Sequence, residues 1–106
     1  MYGTVARFRL KPNAKEKLIE LAQQFGSLNI PGFVSEQIYQ MDKDSNEYYM
    51  AVVFSNKEAY FANANTPEQH QRYLQYRALM EGEPEWHDGE VVYAFEGGRR
   101  PTARAF

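Results

Sequence analysis

The chain has 106 residues, of which 43% are hydrophobic and 25% are charged, as in an ordinary single globular domain. Its formal charge of −2 argues against a nucleic-acid partner, because binding to a phosphate backbone requires a basic surface. The absence of cysteine excludes disulfides, thiolate nucleophiles and cysteine-ligated zinc. The sequence contains no N-terminal apolar leader and no run approaching about 18 apolar residues, so we expect a soluble, cytoplasmic protein that does not enter a membrane.

Aromatic residues are abundant for this length, with eight tyrosines, seven phenylalanines and one tryptophan. A small monomer cannot easily hide that much large apolar surface. The composition therefore predicts a ligand cavity, a subunit interface or both.

The first half of the chain predicts a strand, a helix and a second strand. Residues 2–10 alternate with period two, which places Phe8 on one face and Arg7 and Arg9 on the other. From residue 14 to about 28, apolar residues recur at steps of three and four, as in an amphipathic helix. A turn at Pro31-Gly32 leads into a second alternating segment over residues 33–41.

The second half predicts a strand, a helix in two pieces and a last strand. Residues 48–54 (YYMAVVF) are apolar on both faces, as in a strand that is covered on both sides. Ser55 and Glu58 have the spacing of a capping box for a short helix over residues 57–63. Thr66 and Pro67 predict the start of a second helix that runs to about residue 81. The pattern EVVYAFE predicts a strand over residues 90–96.

The resulting order, β-α-β-β-α-β, predicts an α+β, ferredoxin-like fold: a four-stranded antiparallel sheet with helices on one face. We expect residues 1–96 to form this domain and residues 97–106 to be a C-terminal tail. Because the helices can cover only one face, the apolar residues on the other would be exposed in a monomer. The pattern therefore predicts a homodimer that is formed through the sheet face.

Three segments resemble the antibiotic-biosynthesis-monooxygenase-like members of the dimeric α/β-barrel superfamily. They are VARFRLKP in the first strand, the turn Pro31-Gly32-Phe33, and the run FSNKEAYFANANTPEQHQRY from the third strand into the split helix. The resemblance covers residues 1–95 and implies a dimeric α/β barrel. That family includes cofactor-free oxygenases of aromatic polyketides, quinol oxygenases, haem-degrading enzymes and members without an assigned activity.

The resemblance also bears on haem degradation. The haem-degrading branch has an asparagine on the first strand, a tryptophan on the first helix piece and a histidine early in the next helix. This sequence has His70 but has Tyr60 ten residues before it, where the tryptophan would stand, and no asparagine in residues 2–10. Haem degradation is therefore not expected.

His70 is the candidate catalytic residue, because an imidazole near a helix start could deprotonate a phenolic substrate. The alternative is a histidine at the surface or at the dimer interface. Tyr60 and Tyr73 are candidates for the wall of a substrate pocket. Arg7 and Arg9 would orient an anionic or enolate substrate if their face of the first strand points inward. The alternative, which Phe8 favours, is that the face carrying Phe8 is buried and both arginines are in solvent.

Two further segments carry ionisable residues. Glu36 and Gln37 lie on opposite faces of the second strand, and one of them should face the pocket or the partner; the sequence leaves this open. The segment Glu85-Trp86-His87-Asp88 matches no metal-binding spacing and is interpreted as a solvated loop pinned by the tryptophan ring. We expect no metal and no cofactor.

The resemblance and the candidate residues together predict a cofactor-independent monooxygenase that acts on a small phenolic or quinol-like aromatic substrate. Two alternatives remain open. One is a non-catalytic small-molecule-binding or stress-response dimer. The other is an isomerase or decarboxylating lyase of the same fold, which would use the same general base without oxygen.

Overall fold

Four strands and three helices alternate along the chain in the computed structural model, which describes residues 1–97. The element order confirms the predicted ferredoxin-like arrangement, with the second helix in two pieces. The elements are β1 (Tyr2–Arg9), α1 (Lys15–Gly26), β2 (Phe33–Gln40), β3 (Glu47–Phe54), α2 (Lys57–Ala64), α3 (Pro67–Arg77) and β4 (Glu85–Glu90). None of the helices within residues 1–97 is long and apolar enough to span a bilayer.

The sheet has the order β2-β3-β1-β4, and each neighbouring pair is antiparallel. The period-two pattern of β1 is realised as predicted: Thr4, Ala6 and Phe8 are buried, whereas Val5 and Arg7 on the other face are exposed. In the ladder with β3, Phe8 lies opposite Tyr48 and Thr4 lies opposite Val52. The register therefore aligns one apolar face across the central strands.

The packed core occupies only one end of this face. Phe8 and Tyr48 stack there with ring centroids 5.7 Å apart and an interplanar angle of 12°. Leu18 of α1 covers them and is 1% exposed, while Leu10 forms an isolated bridge with Met80. Neither α2 nor α3 has a fully buried residue. The other end of the sheet is therefore covered less tightly.

Helix caps agree with the prediction at α3 and differ at α2. The Thr66 hydroxyl accepts a hydrogen bond from the Gln69 backbone N–H at 3.0 Å, and Pro67 is the first helical residue. At α2 the cap is Asn56 rather than the predicted Ser55, because the Asn56 side chain accepts from the Ala59 N–H at 2.7 Å. An asparagine one residue later caps as well as a serine, so spacing alone did not separate them.

The second helix piece ends at Arg77 rather than near residue 81 as predicted. The residues that follow pair with the end of β1: the Lys11 N–H donates to Leu79 O at 2.9 Å, and the Glu81 N–H donates to Arg9 O at 2.9 Å. These backbone bonds replace further helical turns. They also seal the core end of the sheet.

The last strand was predicted wrongly. It spans Glu85–Glu90, not residues 90–96, and pairs with β1 from Arg7↔Glu85 to Tyr2↔Glu90. The Val91 N–H donates to Met1 O, but residues 92–97 belong to no strand. The apolar pattern there instead leaves Val92, Tyr93 and Phe95 between 79% and 95% exposed. Almost all of the predicted tail, residues 98–106, lies outside the described residues, and the domain boundary stays a prediction.

Within residues 1–97, no helix or strand covers the face of the sheet opposite the helices. Val5 is 48% exposed and Tyr39 is 53% exposed on this face. Ion pairs flank the apolar residues: Arg7 binds Glu47 and lies 3.6 Å from Glu85, and Arg9 lies 2.7 Å from Asp44. We call this surface the open face. It consists of the side chains that share the face with Val5, namely Val5, Arg7, Arg9, Ser35, Gln37, Tyr39, Glu47, Tyr49, Ala51, Val53, Glu85 and His87.

Candidate functional site

A cavity of about 460 Å³ lies between the helices and the covered face of the sheet. Its floor includes Thr4, Met50 and Val52 from the two central strands, and its walls include Phe25 of α1 and Tyr73 of α3. The volume lies in the range of pockets that hold small organic ligands. It borders the core at Phe8, Leu18 and Met80 and extends along the sheet to Thr4 and Val52.

Aromatic rings form much of the wall. The Tyr60 ring on α2 makes edge contacts with Tyr2 and Phe54, at centroid distances of 5.3 and 5.7 Å. Tyr73 and Trp86 also line the cavity, with ring centroids 6.1 Å apart. These walls favour a flat aromatic ligand, because rings pack well edge-on or offset against rings.

Tyr60, predicted as a pocket residue, lines the cavity. Its phenol donates a hydrogen bond to Asp88 Oδ1 of β4 at 2.9 Å. Burial, together with this bond and the carboxylate charge, raises the pKa of Tyr60 to about 12. The phenol is therefore neutral at physiological pH, and its proton is committed to Asp88 rather than to a ligand.

Tyr73, the second predicted pocket tyrosine, also lines the cavity with its ring. Its hydroxyl donates to Glu83 Oε2 at 2.8 Å, and the other carboxylate oxygen of Glu83 lies 3.3 Å from Arg77 Nε. Burial and the bond to Glu83 raise the pKa of Tyr73. Both predicted tyrosines therefore present rings to the cavity while their hydroxyl groups are held by carboxylates.

Thr4 supplies a hydroxyl on the cavity floor. The residue is 6% exposed, and Thr4 Oγ1 has no hydrogen-bond partner among the described residues, although it lies beside the Tyr60 phenol. A buried hydroxyl without a partner carries an energetic penalty that a ligand oxygen could relieve.

His70 lies on the first turns of α3 and is among the residues that line the cavity. Its side chain is exposed, so it stands at the rim rather than in the interior. The ring centroid is 6.5 Å from that of Tyr73. An imidazole at the rim could exchange protons with a bound ligand on one side and with water on the other. The structure thus brings His70, Tyr60 and Tyr73 to one cavity, and the catalytic role of His70 stays a prediction.

The sequence left open whether Glu36 or Gln37 faces the pocket, and the structure decides this. Glu36 faces the cavity, whereas Gln37 lies on the open face. Burial raises the pKa of the Glu36 carboxyl. Burial and the nearby Glu36 charge also raise the pKa of Tyr76, and the Arg72 guanidinium partly offsets this. The cavity therefore contains a carboxyl that is costly to ionise.

Arg7 and Arg9 do not line the cavity. Both are on the opposite face of β1, where Arg7 pairs with Glu47 and Arg9 pairs with Asp44. Their predicted pocket role does not fit this geometry, because the pleat of β1 turns Phe8 inward and its neighbours outward. The arginine that the cavity does contain is Arg72.

Arg72 is held by two uncharged side chains. Its Nε donates to Gln69 Oε1 at 3.0 Å, and one of its terminal nitrogens lies 3.4 Å from Asn63 Oδ1. Asn63, Gln69 and Arg72 all line the cavity. They form a polar end of the cavity, beside His70.

The family model for antibiotic biosynthesis monooxygenases matches residues 1–76, which include most of the strands and helices that build the cavity. The chain belongs to the antibiotic biosynthesis monooxygenase family. The match includes Tyr60, Tyr73 and His70. It confirms the resemblance that the sequence segments indicated.

Solved structures share the fold of this family member. A protein from Chloroflexus aurantiacus assigned to the antibiotic biosynthesis monooxygenases is 24% identical, with a TM-score of 0.72 over 92% of this chain and 98% of that one. A mutant form of SnoaB, a cofactor-independent oxygenase from Streptomyces nogalater, is 19% identical, with a TM-score of 0.73 over 91% and 97%. A Nitrosomonas europaea protein with the same assignment is 17% identical, with a TM-score of 0.70 over 88% and 100%. No curated protein matches in sequence.

In this member of the family, the predicted loop around Trp86 is part of β4. The Trp86 ring faces the cavity, while His87 is on the open face, 3.2 Å from Glu85. Within residues 1–97, no three histidine, aspartate or glutamate side chains come together as a possible metal site. The strand was not recognised because EWHDGE has neither an apolar alternation nor β-branched residues.

Sequence reasoning did not assign Asn63, Gln69 or Arg72 to the site. Their positions near the junction of α2 and α3 carry no local motif. A signal was available in the helix phase: Gln69, Tyr73 and Tyr76 recur at steps of four and three, and Arg72 lies three residues after Gln69. Had Tyr73 and Tyr76 been used to orient α3, a step of four back from each would have pointed to Gln69 and Arg72, respectively.

Proposed function

We propose that this protein is a cofactor-independent monooxygenase that oxidises a small phenolic or quinol-like aromatic substrate. The observation that carries the proposal is an aromatic-walled cavity of about 460 Å³ with His70 at its rim, in a chain of this family. The fold shared with SnoaB, itself a cofactor-independent oxygenase, is consistent with it.

The chemistry needs no external reductant. When a phenol is oxidised to a quinone, one oxygen atom of O₂ becomes the new carbonyl oxygen on a ring carbon. The other oxygen atom leaves as water with two hydrogens, one from that ring carbon and one from the phenol hydroxyl. The four electrons that reduce O₂ all come from the substrate. The first requirement is loss of a substrate proton, because the resulting anion is the species that reacts with oxygen.

His70 is our candidate for the base. It lines the cavity and remains accessible to water, so a proton accepted from a substrate hydroxyl can pass to solvent. The Tyr73 and Trp86 rings would hold the aromatic substrate beside it. The apolar walls would exclude water from the reacting carbon.

A non-catalytic ligand-binding role is the second candidate. The observation in its favour is the exposure of His70, whose ring has no side-chain hydrogen bond within the described residues to fix its orientation. General bases are usually oriented by a second group. Such a protein would bind the same aromatic ligands without turnover.

We also propose that the protein is a homodimer formed through the open face. On this face, exposed Val5 of the central strand β1 lies opposite Ala51 of β3, and exposed Tyr39 of the edge strand β2 lies opposite Tyr49. Exposed apolar area of this kind on a sheet is costly in a monomer. A twofold axis through it would bring two copies of the same surface together.

The activity is tested by following oxygen consumption with a panel of anthrones and hydroquinones, without added cofactor, in the wild type, His70→Ala and Gln71→Ala. We expect one O₂ consumed per product formed. His70→Ala should be slower by about 100-fold or more, the usual contribution of a general base. Gln71, the exposed neighbour of His70, does not line the cavity, so Gln71→Ala should match the wild type.

Oxygen uptake no faster than in protein-free buffer across the panel would contradict the oxygenase proposal. Equal rates for wild type and His70→Ala would remove His70 from the mechanism. Tight binding of the same compounds without oxygen uptake would support the ligand-binding role instead.

A further inference from the structure

We propose that Arg72, held by Asn63 and Gln69, binds a negatively charged oxygen of the aromatic ligand, so that this site selects aromatic anions over neutral aromatics. The inference deepens the proposed function and rests on its premise that the cavity holds an aromatic ligand. It does not require that the ligand be oxidised.

The hydrogen bonds of Arg72 fix its side chain without neutralising it. Gln69 Oε1 accepts from Nε at 3.0 Å, and Asn63 Oδ1 lies 3.4 Å from a terminal nitrogen. Both acceptors are uncharged amides, so the full positive charge remains. A guanidinium has five N–H donors, and these two contacts leave donors free for a ligand.

The other arginines in the described part of the chain differ from Arg72 in their hydrogen-bond and ion-pair partners and in their position relative to the cavity. Arg7, Arg9 and Arg77 each pair with a carboxylate: Glu47, Asp44 and Glu83, respectively. None of the three lines the cavity. Within residues 1–97, Arg72 is thus the arginine that has no acidic partner and the one that faces the cavity.

The weakly polar surroundings of Arg72 strengthen an interaction with an anion, and burial raises the pKa of Glu36, the carboxyl in the same cavity, which disfavours the charge that would oppose it. Arg72 is partly buried, and Tyr73 and Tyr76 on the same helix line the cavity beside it. A charge in such a weakly polar setting is screened less than one in water. The planar guanidinium can donate two parallel N–H bonds to a carboxylate, or one bond to a phenolate.

The aromatic walls and the arginine together define the ligand class. It has a flat ring that packs against the aromatic walls, which include Tyr60, Tyr73 and Trp86, and an acidic oxygen directed towards Arg72. That oxygen belongs either to a carboxylate or to a phenol that ionises on binding. Both present the same chemistry to the guanidinium.

Titration calorimetry of the full chain with three naphthalene probes tests the inference. 2-Naphthoate is an anion near neutral pH, 2-naphthamide is its neutral counterpart of similar shape, and 2-naphthol is a phenol that absorbs differently when ionised. We expect 2-naphthoate to bind at least about tenfold more tightly than 2-naphthamide, a conservative value for a partly buried charge-assisted pair. If the ligand oxygen is phenolic, 2-naphthol should also bind, with the absorption of its anion.

Arg72→Gln should remove the preference for 2-naphthoate and leave the affinity for 2-naphthamide within about twofold, because the ring contacts remain. Arg72→Lys should retain part of the preference, since the charge is kept and the planar fork is lost. Arg9→Gln is the matched control: it removes the same charge from the opposite face and should keep the wild-type preference.

The wild-type comparison does not depend on any variant folding correctly. Equal affinity for 2-naphthoate and 2-naphthamide, or no binding of 2-naphthoate at millimolar concentration, would overturn the inference, as would an unchanged preference in Arg72→Gln. Because the titrations measure binding without turnover, an anion preference can be found even if no oxygen is consumed. Conversely, oxygen consumption without that preference would refute only this inference.

Discussion

The Tyr60 hydroxyl donates to Asp88 Oδ1 at 2.9 Å and so joins α2 to the edge strand β4. The two residues are 28 positions apart in the chain. Tyr60 also contacts the Tyr2 ring of β1, the strand that pairs with β4. One tyrosine therefore links the helix that covers the cavity to two neighbouring strands of its floor.

Removing this hydroxyl should destabilise the protein modestly. Tyr60→Phe keeps the ring contacts but leaves Asp88 without its donor, so we expect a loss of about 1 kcal/mol in the free energy of unfolding, measured by urea denaturation. Tyr93→Phe is the control, because Tyr93 is 79% exposed and should change nothing measurable. If the two variants were equally stable, the bond would contribute nothing net.

The alkaline pH dependence of stability should also change in Tyr60→Phe. The pKa of Tyr60 is raised to about 12 in the folded protein, so its neutral form is favoured by folding. This contribution is fully present below the unfolded value near 10 and is lost as the pH rises from about 10 to about 12. The wild type should therefore lose stability more steeply than Tyr60→Phe across that window. Parallel curves would contradict the assigned shift.

Glu36→Gln should stabilise the protein near neutral pH. Burial raises the pKa of Glu36, so its ionised form costs free energy in the folded state. The contribution of Glu36 is favourable below the unfolded pKa and is lost as the pH rises through the higher folded pKa. We expect a gain in the free energy of unfolding at neutral pH, because the glutamine amide replaces a buried carboxyl whose ionised form is disfavoured.

Thermal or urea unfolding at several pH values measures this difference, which should shrink towards zero in acid, where the wild-type carboxyl is protonated. Glu20→Gln is the matched control. Glu20 is exposed on α1 and pairs with Lys17 at 3.4 Å, so its removal should cost no more than about 0.5 kcal/mol at any pH. A destabilised Glu36→Gln would mean that the carboxylate has a favourable role.

Gly32→Ala should be clearly destabilising. Gly32 has a φ of +79°, and an added Cβ would lie 2.5 Å from the Ala59 Cβ and 3.1 Å from Ser55 Oγ. We expect a loss of about 1–3 kcal/mol, since both the backbone conformation and the contact oppose the methyl group. Urea denaturation gives the value.

The control for Gly32 is Gly26→Ala at the end of α1, where an added Cβ meets nothing within 4 Å. There we expect a gain of about 0.4–1 kcal/mol, because alanine restricts the unfolded chain more than glycine does. Similar effects at both glycines would show that the turn at Gly32 relaxes easily.

A charge at the centre of the open face should dissociate the proposed dimer. Val5→Asp places an unpaired carboxylate where Val5 is now 48% exposed in the single chain. Light scattering with size exclusion at micromolar concentration should give a dimer for the wild type and a monomer for this variant. Leu74→Asp, at 44% exposure on α3, should remain dimeric. A wild-type monomer would contradict the proposal.

The sequence predicted the element order because each pattern was local. The alternation in β1, the helical period of α1 and the Thr66-Pro67 helix start all concern contacts within a few residues, and all three were confirmed. The predictions failed where a neighbour decided the outcome. β4 is a strand because β1 offers its backbone to residues 85–90, although residues 91–95 look more like one.

The residues of the candidate site also fall into those that local sequence patterns indicated and those that only the folded structure identified. Tyr60 and His70 stand at positions that the resemblance indicated, Tyr73 was a candidate for the pocket wall, and the structure brings all three to one cavity. Arg7 and Arg9 were misplaced as pocket residues, although the alternation of β1 already favoured their exclusion. Arg72 was missed because nothing in the sequence indicates that Asn63 and Gln69 contact it. Asn63 is on α2, and it reaches Arg72 only when α2 and α3 pack in the folded protein.

The sequence by itself determined that this chain forms an α+β domain with an apolar surface that exceeds what its helices can cover, since periodicity and composition are properties of the chain alone. The tertiary structure decided which arginine and which carboxyl face the cavity, and which segment completes the sheet. Those outcomes depend on strand register and on the meeting of residues such as Tyr60 and Asp88, which are brought together only when β1 pairs with β4.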